Sequence, residues 1–170
     1  MIDTSTQYWI TLALTNFSLS MFILAVILIL FHRLIVGKRV SGSEIIYRWM
    51  ALFAAGLTGF FAFIMHVFYS ELAAATIGWP TSPFQFEVGI ADLGFGLLAF
   101  LSFNASYGFR LATVIGVTCW LWGDAAGHIY QMIKNHNYST GNAGSWFWID
   151  LILPLILLIC ISKLKSPKSA

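Results

Sequence analysis

Five stretches of this chain run for about twenty residues, nearly free of charge, which is the length a helix needs to cross the hydrocarbon core of a bilayer. They cover 8–30, 45–68, 83–103, 110–133 and 145–161. Only 9% of the 170 residues are charged and 59% are hydrophobic, whereas a soluble domain carries about 25% charged residues. The expected fold class is therefore all-α: one polytopic bundle of five transmembrane helices spanning residues 1–170. No internal repeat or low-complexity segment divides it. The lipid bilayer is its expected partner, and nucleic acid is not.

Orientation follows from the nine basic residues. Arg33, Lys38, Arg39 and Arg48 flank the first loop, Arg110 lies in the third, and Lys163, Lys165 and Lys168 form the tail, with only Lys134 on the other side. Cytoplasmic loops carry the excess of Lys and Arg, so the amino terminus is expected outside and the carboxyl terminus in the cytoplasm. The start, Met1-Ile-Asp-Thr-Ser-Thr, lacks a basic region before its apolar run and reads as a first span rather than a signal peptide. Cys119 and Cys160 fall in apolar runs without ligand spacing and read as small core residues.

Local signals place the helices. Glu44 and Arg48, spaced i, i+4, suit an ion pair at the inner interface, where His32 and Arg33 reach toward headgroups. Gly56 and Gly59 permit close helix approach. Ser82-Pro83-Phe84-Gln85 matches a capping box with proline at the first helical position. Gly89 and Gly96 share one face of the span that follows, and residues 104–108 form a tight inner hairpin. Gly123 and Gly127 form a small-xxx-small pair. Residues 71–82 and 135–144 are read as outer loops, with Trp146 and Trp148 anchoring the last span. Pro154 frees the carbonyl of Asp150, which must then find another partner.

Charged side chains inside a bilayer cost about 3 kcal/mol each on insertion scales, so they rarely persist without a partner or a function. At about 1.5 Å rise per residue, His66, Glu87, His128 and Asp150 lie about 5 to 8 Å below the outer boundary, and Asp92 and Asp124 about 13 to 15 Å below it. Four carboxylates and two imidazoles thus gather in the outer half with no Lys or Arg within reach. Repulsion among them calls for something positive, protons or a metal. His66, Glu87, Asp92, Asp124, His128 and Asp150 are the candidate metal ligands, a mixture suited to zinc, manganese or non-haem iron. No HExxH, Glu-x-x-His or CxxC motif accompanies them. Glu87 and Asp92 are about 140° apart around a helix, so sharing one ion requires a distorted helix or two subsites. A haem between His66 and His128 is disfavoured by the surrounding carboxylates.

Two runs, Gly-Trp-Pro-Thr-Ser-Pro-Phe-Gln-Phe-Glu-Val-Gly-Ile-Ala-Asp ending at Asp92 and Trp-Gly-Asp-Ala-Ala-Gly-His-Ile-Tyr-Gln ending at Gln131, resemble an uncharacterised family of small bacterial integral membrane proteins of unknown function. The resemblance covers mainly the third to fifth spans. It implies a bacterial inner membrane location and no particular chemistry.

Three functional readings remain open at this level. The first is a divalent-metal site acting in metal handling or metal-dependent chemistry at the periplasmic face. The second is a metal-free, proton-coupled transporter or channel using Asp92 and Asp124, with Glu71, Glu87 and His66 as an outer vestibule. The third is a structural or partner-binding membrane subunit. No catalytic residue is assigned, and substrate, metal identity and oligomeric state, a homo-oligomer included, stay open.

Overall fold

The computed structural model describes residues 3–164, all-helical among the described residues apart from turns and short connections. Lys165 and Lys168 of the basic tail lie outside them. In chain order the helices are α1 (Thr4–Thr15), α2 (Phe17–Val36), α3 (Gly42–Trp49), a π-helical stretch (Met50–Leu57), α4 (Thr58–Phe68), α5 (Ser70–Ile77), α6 (Phe84–Leu101), a 3₁₀ turn (Ser102–Asn104), α7 (Tyr107–Asn135), α8 (Thr140–Ala143) and α9 (Ser145–Lys163).

Four helical stretches are long and apolar enough to cross a membrane: Phe17–Val36, Gly42–Phe68, Phe84–Asn104 and Thr140–Lys163. Of the five expected spans, the fourth does not meet that criterion. The helix that drops out is α7, expected over 110–133, because Arg110, Asp124, His128 and Lys134 dilute its apolar character. The first span also moves. Instead of running through 8–30 it breaks at Asn16, whose backbone leaves helical geometry at φ −109, ψ 41. The Asn16 amide donates to Leu12 O at 3.1 Å, while its oxygen accepts from Ser145 Oγ at 2.9 Å and Trp146 Nε1 donates to Thr15 O at 3.1 Å. An asparagine side chain that competes for backbone groups interrupts a helix in this way. The start of α9 pins the break, and α1 buries none of its residues.

The half of the bundle around Glu44 and Arg110, expected to be the inner one, is packed and closed. Tyr47, Met50, Ala51, Val114, Leu153 and Leu157 form its buried centre, joining α3, the π-helical stretch, α7 and α9. One polar network crosses it. Arg110, buried at 6% exposure, pairs with Glu44 at 2.7 Å and donates to Ser102 O at 3.0 Å and Phe103 O at 2.7 Å. Glu44 also holds Arg48 at 2.5 Å, as the i, i+4 spacing suggested. Tyr47 donates to Ser102 Oγ at 2.9 Å beneath the Arg110 guanidinium, which lies 4.9 Å from the Tyr47 ring centre. All three guanidinium nitrogens of Arg110 and both Glu44 oxygens are engaged, and that satisfaction makes a buried pair tolerable. Nearby, Trp49 Nε1 donates to His32 Nδ1 at 2.9 Å and Arg33 binds Val40 O at 3.0 Å. His32 therefore has a protein partner.

Glycine sets the closest helix crossing, between α4 and α6. A methyl group at Gly59 would come within 2.8 Å of both Asp92 O and Gly96 Cα, and one at Gly96 within 3.0 Å of Gly56 O. Gly89 continues the contact against Val67 and His66. The Gly123–Gly127 pair behaves otherwise: nothing lies within 4 Å of a methyl group built at Gly123, and Gly127 meets only the Trp79 ring at 3.6 Å. Those glycines leave space open instead of drawing helices together. Cys160 is core as expected, but Cys119 is exposed.

The two outer loops carry structure of their own, α5 and α8, and α5 ends at Gly78 in the left-handed region at φ 76. The expected capping box at Ser82 is not formed: α6 begins at Phe84 without a side-chain cap, because Gln85 turns its amide to His66. Near Pro154, the indole of Trp122 donates to Leu151 O at 3.4 Å.

Gly59→Ala should destabilise the purified protein by about 2 kcal/mol, since both clashes are with backbone and one helix must shift. Gly94→Ala, on the same helix pair but facing open space, should be neutral or slightly stabilising. Thermal unfolding in detergent checks the contrast, and equal losses at both positions would contradict the crossing.

Candidate functional site

Above the packed half lies a cavity of about 680 Å³, walled by α4, α6, α7, α9 and the outer segments around Trp79 and Gly141. Five of the six expected site residues line it: His66, Asp92, Asp124, His128 and Asp150. Glu87 does not. It is exposed and absent from the wall, where Gln85, Val88, Asp92 and Gly96 form the inward stripe of α6. That stripe runs at i, i+3, i+7 and i+11, so a residue five positions before Asp92 is turned away from it. Gln85, buried at 8% exposure, stands where Glu87 was expected and contacts His66 Nδ1. The stripe was readable in the sequence, but an uncharged amide drew no attention beside an acid.

Asp92 sits on α6 at 8% exposure and accepts from Trp120 Nε1 at 2.9 Å. Trp120 stacks on Phe95 with ring centres 5.6 Å apart, so the donor is held by a second aromatic from Asp92's own helix. Asp124 and His128, four residues apart on α7, project from one face as expected.

The other outer group that sequence reasoning missed is Asn142, fully buried in α8. Its amide nitrogen donates to His128 O at 3.2 Å and Asn137 O at 2.9 Å, and its oxygen accepts from Trp79 Nε1 at 2.9 Å. Two carbonyls on one side and an indole N–H on the other fix which amide atom is oxygen. That same oxygen lies 2.8 Å from His128 Nδ1. It can only accept, so Nδ1 carries the hydrogen, and the neutral ring presents its lone pair at Nε2. Nε2 faces Asp150 Oδ2 across 3.9 Å, beyond hydrogen-bond length.

The placement of Asn142 depends on the facing outer segment. Asn137 donates to Ile77 O at 2.9 Å and Gly78 O at 3.2 Å and accepts from Ser139 N at 3.0 Å. Gly141 packs so closely that a methyl group there would lie 2.8 Å from Thr76 O. The end of α7 and the turn after α5 are therefore tied together over the cavity.

Electrostatically the wall is one-sided. It bears three carboxyl groups, two imidazoles and no Lys or Arg. Asp150, on α9, is buried at 9% exposure. Its carboxyl group faces His128 across the gap and accepts no side-chain hydrogen bond among the described residues. Among the described residues, no three His, Cys, Asp or Glu side chains stand close enough together to hold one metal ion. The arrangement separates its charges around a space instead of converging them on a point.

In a protein labelled with ¹⁵N-histidine, His128 should show the Nδ1–H neutral tautomer. Asn142→Leu should shift it toward a mixture and cost at least about 2 kcal/mol by stranding two carbonyls, an imidazole and an indole. An Nε2–H tautomer in the wild type would contradict the hydrogen-bond assignment.

No match to the chain is found among the curated proteins or among the solved structures. The family comparison is positive: the model for the family of unknown function DUF6790 matches residues 15–169, from the last residue of α1 through the whole cavity-forming bundle, and the chain belongs to that family.

Proposed function

We propose that the protein is a five-span membrane protein of the bacterial inner membrane that takes up a cation at its outer face, in exchange for protons held on Asp92, Asp124 and Asp150. The amino terminus lies outside and the carboxyl terminus in the cytoplasm. Support for the fifth span comes from α7. At 29 residues it extends about 43 Å at 1.5 Å per residue, longer than the hydrocarbon core. Arg110 near its start joins Glu44 at the inner end. Asn137 just past its end joins Ile77 and Gly78 at the outer one.

The observation that carries the functional reading is the wall of the 680 Å³ cavity: three carboxyl groups and two imidazoles without a Lys or Arg. Carboxylates removed from water hold their charge only against a positive partner. Here that partner must come from outside the protein, as a proton or as a bound cation, and the two compete. Binding therefore releases protons. At the other end of the bundle, the buried core around Tyr47, Val114 and Leu157 and the Arg110 network close the helices together. Passage to the cytoplasm requires that packed half to rearrange.

A divalent transition metal, zinc, manganese or iron, is the second reading. The feature in its favour is His128, whose Nδ1–H is held by Asn142 while Nε2 faces Asp150. Metal-bound imidazoles are commonly oriented this way, with the second nitrogen donating to an oxygen.

In weakly buffered vesicles, a panel of potassium, ammonium, manganese, zinc and alkylammonium salts should include at least one cation that releases protons from the wild type and not from Asp92→Asn/Asp124→Asn. Release confined to transition metals, with metal retained by the wild type and lost from His128→Ala, would move the assignment to the metal reading. Silence from every cation would overturn uptake by exchange and leave a structural role.

Topology has its own test. Tyr138→Cys, made on a Cys119→Ala background, places a thiol at an exposed position after α7. It should react with a membrane-impermeant maleimide from the periplasmic side. Reaction only from the cytoplasmic side would invert the bundle.

A further inference from the structure

We infer that the cation is organic: an ammonium or phosphonium group carried on an apolar body of drug-like size. This rests on the cation-exchange reading of the same cavity and specifies what it takes. Size is the first argument. About 680 Å³ lies in the range of pockets that enclose small organic ligands, and far exceeds what a bare ion needs.

The second argument is the wall. Trp79, Trp120, Trp146, Phe61, Phe95 and Met65 contribute to it, and two of its aromatic pairs are stacked, Phe61 on Trp146 with centres 6.2 Å apart and Phe95 on Trp120 at 5.6 Å. Inorganic cations are bound by several oxygen or nitrogen ligands drawn onto one point. Aromatic and aliphatic surface contributes nothing to that. It does bury an apolar body, and aromatic faces attract a diffuse positive charge.

The third argument is Asp150. It is buried at 9% exposure, lines the cavity, makes no side-chain hydrogen bond among the described residues, and faces His128 Nε2 across 3.9 Å. Leaving a buried carboxyl group without a hydrogen bond is costly. A cationic ligand entering the cavity supplies positive charge, and where it bears an N–H a hydrogen bond as well, while Asp124 faces the same space from α7. Asp92 is already held by Trp120, which leaves Asp150 and Asp124 as the groups that meet the charge.

The rim favours such ligands too. Leu72 and Phe84, exposed at 57% and 67%, border the cavity at the outer end. A cation with an apolar body concentrates at the depth where such side chains sit.

Equilibrium binding of tetraphenylphosphonium and of alkyltrimethylammonium ions of increasing chain length to detergent-purified protein tests the inference, with proton release recorded in parallel. Affinity should rise about threefold to fourfold for each methylene buried, until the cavity is filled. A neutral carbon isostere of the same ligand should bind at least about tenfold more weakly. Asp150→Asn, isosteric with the wild type, should weaken the cationic ligands by about tenfold or more. Gly123→Leu places its side chain in space that the structure leaves empty. It should obstruct binding while the unfolding temperature stays at the wild-type value, which guards against a folding defect in the Asp150 variant. Proton release by potassium, manganese or zinc without binding of any onium ion would overturn this inference and leave the exchange reading standing. Equal binding of the neutral isostere would overturn it as well. If no cation of any class displaces protons, the exchange reading itself falls.

Discussion

A carboxylate withdrawn from water must be answered by positive charge or by hydrogen-bond donors, and the bundle answers this demand differently in its two halves. At the inner end, Glu44 is clamped by Arg48 at 2.5 Å and Arg110 at 2.7 Å, and the remaining guanidinium donors are spent on Ser102 and Phe103 carbonyls. The result ties α3, the turn after α6 and the start of α7 into one fixed corner. At the outer end no arginine or lysine reaches Asp92, Asp124 or Asp150 on the cavity wall. The same chemistry that closes one end leaves the other unfinished.

The cavity persists because its edges are braced by donors that have no other use. Trp120 orients Asp92, and Asn142 orients His128 while accepting from Trp79. Three aromatic or amide side chains thus hold two titratable ones, and one of the three is delivered by α8, a helix of only four residues. The glycines divide the labour. Gly59 and Gly96 bring α4 and α6 together in one part of the cavity wall, whereas Gly123 and Gly127 keep α7 from filling the space.

Much of this was legible in the chain, and the failures have physical causes. Apolar length located the helices that bear the cavity, and the i, i+4 spacing of Asp124 and His128 placed both on its wall. Glu87 was misplaced because its depth was given more weight than its rotation of about 140° from Asp92, and rotation about α6 decides which side chains face inward. Asn16 gave no warning of a break, since its effect depends on Ser145 and Trp146, about 130 residues away in sequence. Asn142 and Gln85 were passed over because neutral amides carry no charge to explain. Their importance lies in fixing the orientation of imidazoles, a property of three-dimensional neighbours. The polar content of α7 lowers its apolarity below that of the other long helices, and the same residues build the site.

The π-helical stretch Met50–Leu57 has a consequence for register. Wider turns of this kind accommodate extra residues without lengthening the helix in proportion. They set the rotational phase of everything that follows on α4. If the stretch rewound to α-helical form by the equivalent of one residue, α4 would turn by about 100° and slide by about 1.5 Å. Gly59 would then leave its seat against Gly96, a bulkier neighbour would arrive there, and His66 would swing off the cavity wall. The stretch works like the offset of a vernier scale, in which a mismatch of one division at one place brings two distant marks into line.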